Sequence, residues 1–366
     1  MRPTSCSTAA GDGGGCERAA AVSEDHWAEQ NTTPDAIADA LRRLLHERHA
    51  ANEALAPARV LNLVVVVDRD WKGEIANRLA RVGRYHASRT VLCAVEEGRS
   101  SLDAQAVMSY DEPHEGLGVM LEQVEIDMGT EHVARLETIV DPVLWSELPT
   151  VLWTPHGHEE ARQSLLALTD VLLLDSDEVL ETEAGLARAA ELLQSAYVVD
   201  LAWLRTTPWR ERLAASFDPR DRLPMLERLS RLRIRHRPTS RASALLLTGW
   251  LAAQLGWDVG GLEHGGAAGS ARRDGIEIDI ELEPVDQEAP GLAGVTVGCG
   301  EQFSMSLDRA RGGLRAQEHA GGGERTWQVL GASRGEGGIL GEGVRQAHLR
   351  DPTYGPALAA AQRLCA

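Results

Sequence analysis

The sequence predicts an α/β N-terminal domain with a mostly parallel, mixed sheet flanked by helices, followed by an α+β C-terminal domain with an antiparallel sheet. Three observations carry this. VLNLVVVV (60–67) is a run rich in β-branched residues and apolar but for Asn62, as in a strand covered on both faces. Strand-like and helix-like stretches then alternate to about residue 194, which favours parallel pairing with crossover helices. Beyond residue 270 strict alternation takes over, above all in GIEIDIELE (275–283), the pattern of antiparallel strands with one wet face.

The elements follow in order. Residues 1–33 read as a disordered extension, Gly- and Ala-rich at first and without the apolar stretch of a signal peptide. A helix over 34–51 places Ile37, Leu41, Leu44 and Leu45 on one side, with Thr33 as N-cap before Pro34. After strand 60–67 come a helix at 72–85 and a strand at 90–95. The strands at 104–109 and 119–127 have no helix between them and predict an antiparallel edge. Helix 131–143, strand 150–153, helix 159–168, strand 171–174 and helix 178–194 complete a first domain over 34–200. In the second, 201–366, helices are expected at 203–217, 223–232 and 241–255, the last ended by Gly256. A strand is expected at 233–237 and a loop at 260–270. Strands near 275–283, 292–298, 302–308, 313–319 and 326–330 precede two helices near 338–349 and 356–364.

Composition restricts the function. The chain has 366 residues and a net charge of −18, which disfavours indiscriminate binding to nucleic acid or an anionic membrane. No run approaches the roughly 20 apolar residues of a membrane span. Five cysteines without CxxC spacing fit a reducing cytosol, so a cytoplasmic protein is expected. The charge is uneven: 205–241 holds eleven Arg and four acids. Six of nine Trp lie between Trp145 and Trp257. Arg and Trp are the anchors that interfaces favour, so Trp203, Arg205, Trp209, Arg210 and Arg212 are candidate partner contacts. The plainer alternative is that the Trp side chains are core and the Arg side chains solvated.

Catalytic signatures are lacking. Val67 is followed by DRDWKGE, without the GxGxxG of a dinucleotide fold. Neither GxxxxGK[ST] nor GxSxG occurs. HGHEE (156–160) supplies two His ligands at most and reads equally as a polar loop opening a helix, so no metal or cofactor is expected. Asp175-Ser176-Asp177 follows a strand and can cap the next helix or serve a site. Ser88, Arg89, His156 and Asp175 together define a candidate anion or ligand pocket, provided that they converge. Gly249 inside LLLTGWLAAQL costs about 1 kcal/mol relative to Ala in a helix, so a close neighbour is expected there, Trp203 or Trp209.

Several segments resemble one family: ARVLNLVVVV (58–67), HASRTVL (86–92), IVDPVLWSELPTVLWTP (139–155), VLLLDS (171–176), DLAWLRTTPWRERLAASFD (200–218) and SALLLTGWLAAQLGW (243–257). In this order they resemble the OpcA family, the glucose-6-phosphate dehydrogenase assembly proteins. Thr154 and Ala87 depart from residues common in the family. The resemblance implies a non-enzymatic factor that binds glucose-6-phosphate dehydrogenase and promotes its active oligomer. A sugar-phosphate-binding enzyme or sensor with a strand-end pocket is the competing expectation.

Overall fold

The computed structural model describes residues 22–51, 59–83, 88–111, 120–220, 222–263, 266–300, 302–330, 336–347 and 349–366. The first sheet comprises β1 (Val22–Glu29), β2 (Leu61–Asp68), β3 (Ser88–Glu96), β4 (Asp103–Asp111), β5 (Met120–Gly129), β6 (Thr150–Trp153), β7 (Val171–Leu174) and β8 (Tyr197–Asp200). Their spatial order is β1-β4-β5-β3-β2-β6-β7-β8. From β5 to β8 every neighbouring pair is parallel, while β4 runs antiparallel between β1 and β5. Numbered along the chain, the parallel strands lie in the order 3-2-1-4-5-6. That is the order of a doubly wound sheet, with its switch point between β2 and β6.

Local chemistry explains the central strands. Leu61 to Val67 are all buried, so β2 is covered on both faces as its apolar run requires. Helix α1 (Pro34–Ala51) begins where the Thr33 hydroxyl accepts the Ala36 N–H at 3.3 Å. It buries Ile37, Leu41 and Leu44 and packs against β4. Helices α2 (Lys72–Gly83), α3 (Leu136–Val140), α4 (Glu159–Leu165) and α5 (Thr182–Leu192) complete this layer.

The second half carries α6 (Leu201–Phe217), α7 (Leu223–Leu226), α8 (Arg241–Leu255), α9 (Glu336–Gln346) and α10 (Tyr354–Cys365). Its sheet comprises β9 (Arg231–His236), β10 (Asp258–Val259), β11 (Ala268–Arg273), β12 (Ile276–Pro284), β13 (Leu292–Cys299), β14 (Phe303–Ala310), β15 (Gly313–Ala320) and β16 (Gly323–Leu330). The order is β10-β11-β12-β9-β13-β14-β15-β16, antiparallel except for β12 on β9. Leu232, Ile234, Ile280, Val295 and Val297 are buried, and α8 and α6 pack against β9 and β13. On β9 the alternate residue Arg233 pairs with Glu281 at 3.3 Å and Glu283 at 2.9 Å. The C-terminal helices return to the first layer: α9 packs on α2 and β8, and α10 on α5 and α8.

The structure differs from the sequence expectation in several elements. Residues 22–29 lie within the expected disordered extension but form edge strand β1, hydrogen-bonded to β4. Residues 223–232 are helical only over α7, because β9 already begins at Arg231. The loop expected at 260–270 gives way to β11 at Ala268, although 264–265 lie outside the described residues. Helix α5 starts at Thr182 rather than near 178. Cys365 sits half-buried at the end of α10. Cys6 and Cys16 lie outside the described residues.

Candidate functional site

In a doubly wound sheet the ligand crevice opens beyond the strand ends at the switch point. Here side chains of the two flanking loops meet at that point. After β6 the chain runs through three residues of positive φ: His156 at 67°, Gly157 at 115° and His158 at 44°. Such conformations cost a non-glycine residue of order 1 kcal/mol or more, and here the surrounding contacts hold them. The turn brings His158 Nε2 within 3.3 Å of Asp68 Oδ1 at the end of β2, a charge-contact distance without hydrogen-bond geometry. It also lays the His156 ring against Trp71, with centroids 4.7 Å apart. Burial holds the His158 imidazole below its usual pKa; Asp68 opposes this and His156 adds to it. Among the described residues no group of three or more His, Cys, Asp or Glu is placed to hold a metal ion.

One strand along, between the ends of β6 and β7, a crevice of about 310 Å³ stays open. His156, Arg162, Asp175, Val179 and Arg188 contribute to its lining. Arg162 and Arg188 share one carboxylate, Glu159, with Arg188 at 2.6 Å. Of the four expected pocket residues, His156 and Asp175 thus meet in one crevice.

Ser88 and Arg89 do not join them. They begin β3, and in parallel strands the beginning of one lies at the opposite edge from the ends of β6 and β7. The expected four-residue pocket is therefore corrected to two separate places. Arg89 is buried and donates to Glu122 at 2.7 Å and to the Val143 carbonyl at 2.7 Å. Arg59 donates to the same carboxylate at 2.8 Å. Both guanidiniums lie over Trp145, at 4.0 and 4.5 Å from its centroid. Two cations around one buried carboxylate, walled by an indole, leave no room at Arg89 for a ligand anion.

Asp175-Ser176-Asp177 is an interlock. Asp175 takes both arms of Arg205 on α6 at 2.7 Å each. Asp177 accepts the backbone N–H and hydroxyl of Ser243 on α8, at 3.0 and 2.6 Å. Ser176 donates its hydroxyl to Asp200 at 2.6 Å, and Asp200 also accepts the Ala202 N–H and the Tyr354 hydroxyl. One turn after β7 therefore ties α6, β8, α8 and, through Asp200, α10. The turn does not cap α5; Asp177 serves the first turn of α8 instead. Burial and the nearby Asp175 charge push Asp177 up to about 7 and Asp200 up to about 6.

This placement corrects the partner-contact expectation for three residues. Trp203, Arg205 and Trp209 are 3%, 8% and 1% exposed, so they form interior structure and no outward surface. The cause is the fold: α6 lies between the two sheets, touching β8, α8 and β13. Arg210 is half-buried, its guanidinium 3.6 Å from the Trp203 centroid, and burial pushes its pKa down to about 10. Arg212 is half-buried, with its Nε lacking a hydrogen-bond partner among the described residues. Of the five, Arg210 and Arg212 keep partial exposure.

A second concavity escaped sequence reasoning. An apolar groove of about 290 Å³ runs between the end of α6, the α7 segment and α8. Phe217, Leu223, Leu229, Trp250 and Leu255 line it. Leu223 is half-exposed. The signal was an apolar turn with Pro224 that cannot be told from core without knowing what covers it.

Comparisons with known proteins agree with the fold's two-part pattern. Two family models match, both described under the heading "Glucose-6-phosphate dehydrogenase subunit": the N-terminal domain over residues 79–191 and the C-terminal domain over residues 196–358. The chain belongs to the OpcA family. The OpcA protein of Synechococcus elongatus, named for the OxPP cycle, is 26% identical over 240 residues, covering 64% of this chain and 53% of its own length. That of Nostoc punctiforme is 32% identical over 127 residues, covering 34% and 27%. The chain thus spans about half or less of the curated relatives that it matches. Among solved structures, the 3-ketoreductase KijD10 from Actinomadura kijaniata, in complex with NADP and TDP-benzene, aligns over 84% of this chain and 96% of its own, with TM-score 0.46 and 8% identity. A levoglucosan dehydrogenase in complex with NADH and L-sorbose aligns with TM-score 0.44 and 10% identity over 84% and 96%.

Proposed function

We propose that this chain is a non-catalytic partner of glucose-6-phosphate dehydrogenase that binds it, favours its active oligomer and so raises flux into the oxidative pentose phosphate pathway of the cytoplasm. Membership of a family described as subunits of that dehydrogenase supports the partner. The observation that carries the non-catalytic half is the side-chain contact across the switch point. Asp68 meets His158, and Trp71 meets His156, at the place where a doubly wound sheet would receive a dinucleotide. The buried free thiols Cys93 and Cys299 are in keeping with a reducing compartment.

In this reading activation is a shift of population. The chain binds the active arrangement of the dehydrogenase more tightly than the inactive one. Moving an equilibrium from about 1:99 to 99:1 takes about 5.5 kcal/mol of differential binding. The groove beside Leu223 and Trp250 offers the apolar anchor site that such contacts use, and Arg210 and Arg212 offer partly exposed guanidiniums nearby in sequence. Sizing chromatography of the mixed proteins tests the reading. Co-elution, with the dehydrogenase moved to a larger species, is expected; separate elution with an unchanged dehydrogenase profile contradicts it.

A further inference from the structure

We propose that the crevice between the C-terminal ends of β6 and β7 binds a small organic phosphate monoester, with its anionic head between Arg162 and Arg188. The inference stands on the crevice alone and does not require the dehydrogenase as partner. Three features support it.

The first is place and size. The crevice lies beyond the carboxyl ends of two parallel strands, one strand along from the switch point at which open α/β sheets take ligands. Its 310 Å³ is at the lower end of the ligand-site range, enough for a single phosphorylated sugar or nucleoside and too little for a dinucleotide.

The second is charge. Arg162 and Arg188 both reach Glu159, so one carboxylate is divided between two guanidiniums. Arg162 is 12% exposed at its side chain, which removes most of the water that would otherwise solvate it. Burial and the Arg188 charge lower the hold of Arg162 on its proton, and Glu159 and Glu191 raise it. A planar fork with free N–H groups matches the oxygens of a phosphate. Two acids on the crevice wall have cationic partners of their own. Asp175 already accepts both arms of Arg205, and Glu178 lies 3.9 Å from Arg78.

The third is the wall chemistry. Leu173, Val179 and Trp153 present carbon surface to the body of a ligand, and Thr154 lies at the rim beside the left-handed 156–158 turn. Gly185 lets α5 pass close beneath: a Cβ there would sit 3.3 Å from the Ser176 carbonyl and 3.1 Å from the Val179 side chain. The crevice floor is therefore a tight, fixed structure.

Titration calorimetry on the full chain tests this with three probes: inorganic phosphate, glucose 6-phosphate and adenosine 5′-monophosphate. At least one monoester is expected to bind about tenfold or more tighter than inorganic phosphate, and the tighter one identifies the body that the walls accept. Arg188→Gln should weaken that binding about tenfold; Arg188 is partly exposed, and a thermal melt checks that the fold is kept. Glu159→Gln should act in the opposite direction and tighten binding severalfold, since it leaves both guanidiniums without their shared carboxylate; a purely structural role would not produce that sign. The proposal is overturned by silence from all three probes at about 10 mM, by equal binding of inorganic phosphate and the monoesters, or by affinities that neither substitution moves.

Discussion

Gly249 shows how one residue sets the approach of two helices. A Cβ at this position would stand 2.2 Å from the Ala357 carbonyl oxygen and 2.9 Å from the Ala361 nitrogen, both backbone atoms of α10. The sequence marked this glycine as needing a close neighbour but pointed to Trp203 or Trp209. The neighbour is a helix about a hundred residues later, which local periodicity cannot reveal. Gly249→Ala should lower stability by about 1–3 kcal/mol despite its gain in helix propensity, read from urea melts. A variant as stable as the wild type would show that α10 does not seat here. Arg205 makes the complementary case. Its pair with Asp175 is buried, so Arg205→Ala strands a carboxylate and should cost about 3–5 kcal/mol in the same assay. A loss below about 1 kcal/mol would place the pair in solvent.

At the scale of elements, the Asp175-Ser176-Asp177 turn holds three helices of the second half, α6, α8 and, through Asp200, α10, to the first. Asp175 and Asp177 face Arg205 at 2.7 and 3.6 Å, Asp200 accepts from Ser176 and Tyr354, and Ser243 donates to Asp177. Asp177 and Asp200 therefore hold their protons to about 7 and about 6, whereas an unfolded Asp releases its proton near 3.9. A carboxyl with a raised folded pKa contributes stability that is full below about pH 4 and is lost as pH rises through its folded value. The cluster thus favours the folded state at pH 5 over pH 7.5. His158 and His236, lowered chiefly by burial, act with the opposite sign just below pH 6.5. The difference between proteins isolates the carboxyls. Asp177→Asn should lose less stability than the wild type between pH 5 and pH 7.5, measured by thermal melts. Parallel pH profiles would show that Asp177 does not titrate in this range. Elements with strong periodicity were legible in advance: β2 from its apolar run, β12 from alternation, α1 from its cap and spacing. Edge strand β1 was not, because VSEDHWAE is largely exposed and gains its order from β4. The turn was read as the cap of the helix that follows it, because sequence shows the next helix and not the one folded back from residue 241.

For the whole molecule, the alternation of strand and helix disclosed the fold class, and the strict alternation beyond residue 275 disclosed the second sheet. The strand order and its switch point needed the three-dimensional structure, since sequence does not say which parallel strand lies beside which. The same gap explains the site. Trp203, Arg205 and Trp209 looked like a grip for a partner because their chain segment is rich in both residue types. They are interior because α6 is covered on several sides by the helices and both sheets. His156 and Asp175 were legible as strand-end residues, while Ser88 and Arg89 begin a strand and so sit at the far edge. The crevice arginines, Arg162 and Arg188, come from two different helices and carried no signal. Relocating the partner surface leaves a testable consequence. Leu223→Asp, on the half-exposed rim of the apolar groove, should weaken co-elution with the dehydrogenase about tenfold or more while its own thermal melt stays close to wild type. Unaltered co-elution would move the contact elsewhere. In the proposed function this chain acts on glucose-6-phosphate dehydrogenase through contact alone. Steady-state NADPH formation by the dehydrogenase, with and without saturating amounts of this protein, tests it most directly. A higher turnover or a lower apparent KM is expected with the protein added, with no turnover by the protein by itself; an unchanged rate, or NADPH formed by the protein alone, overturns the proposal.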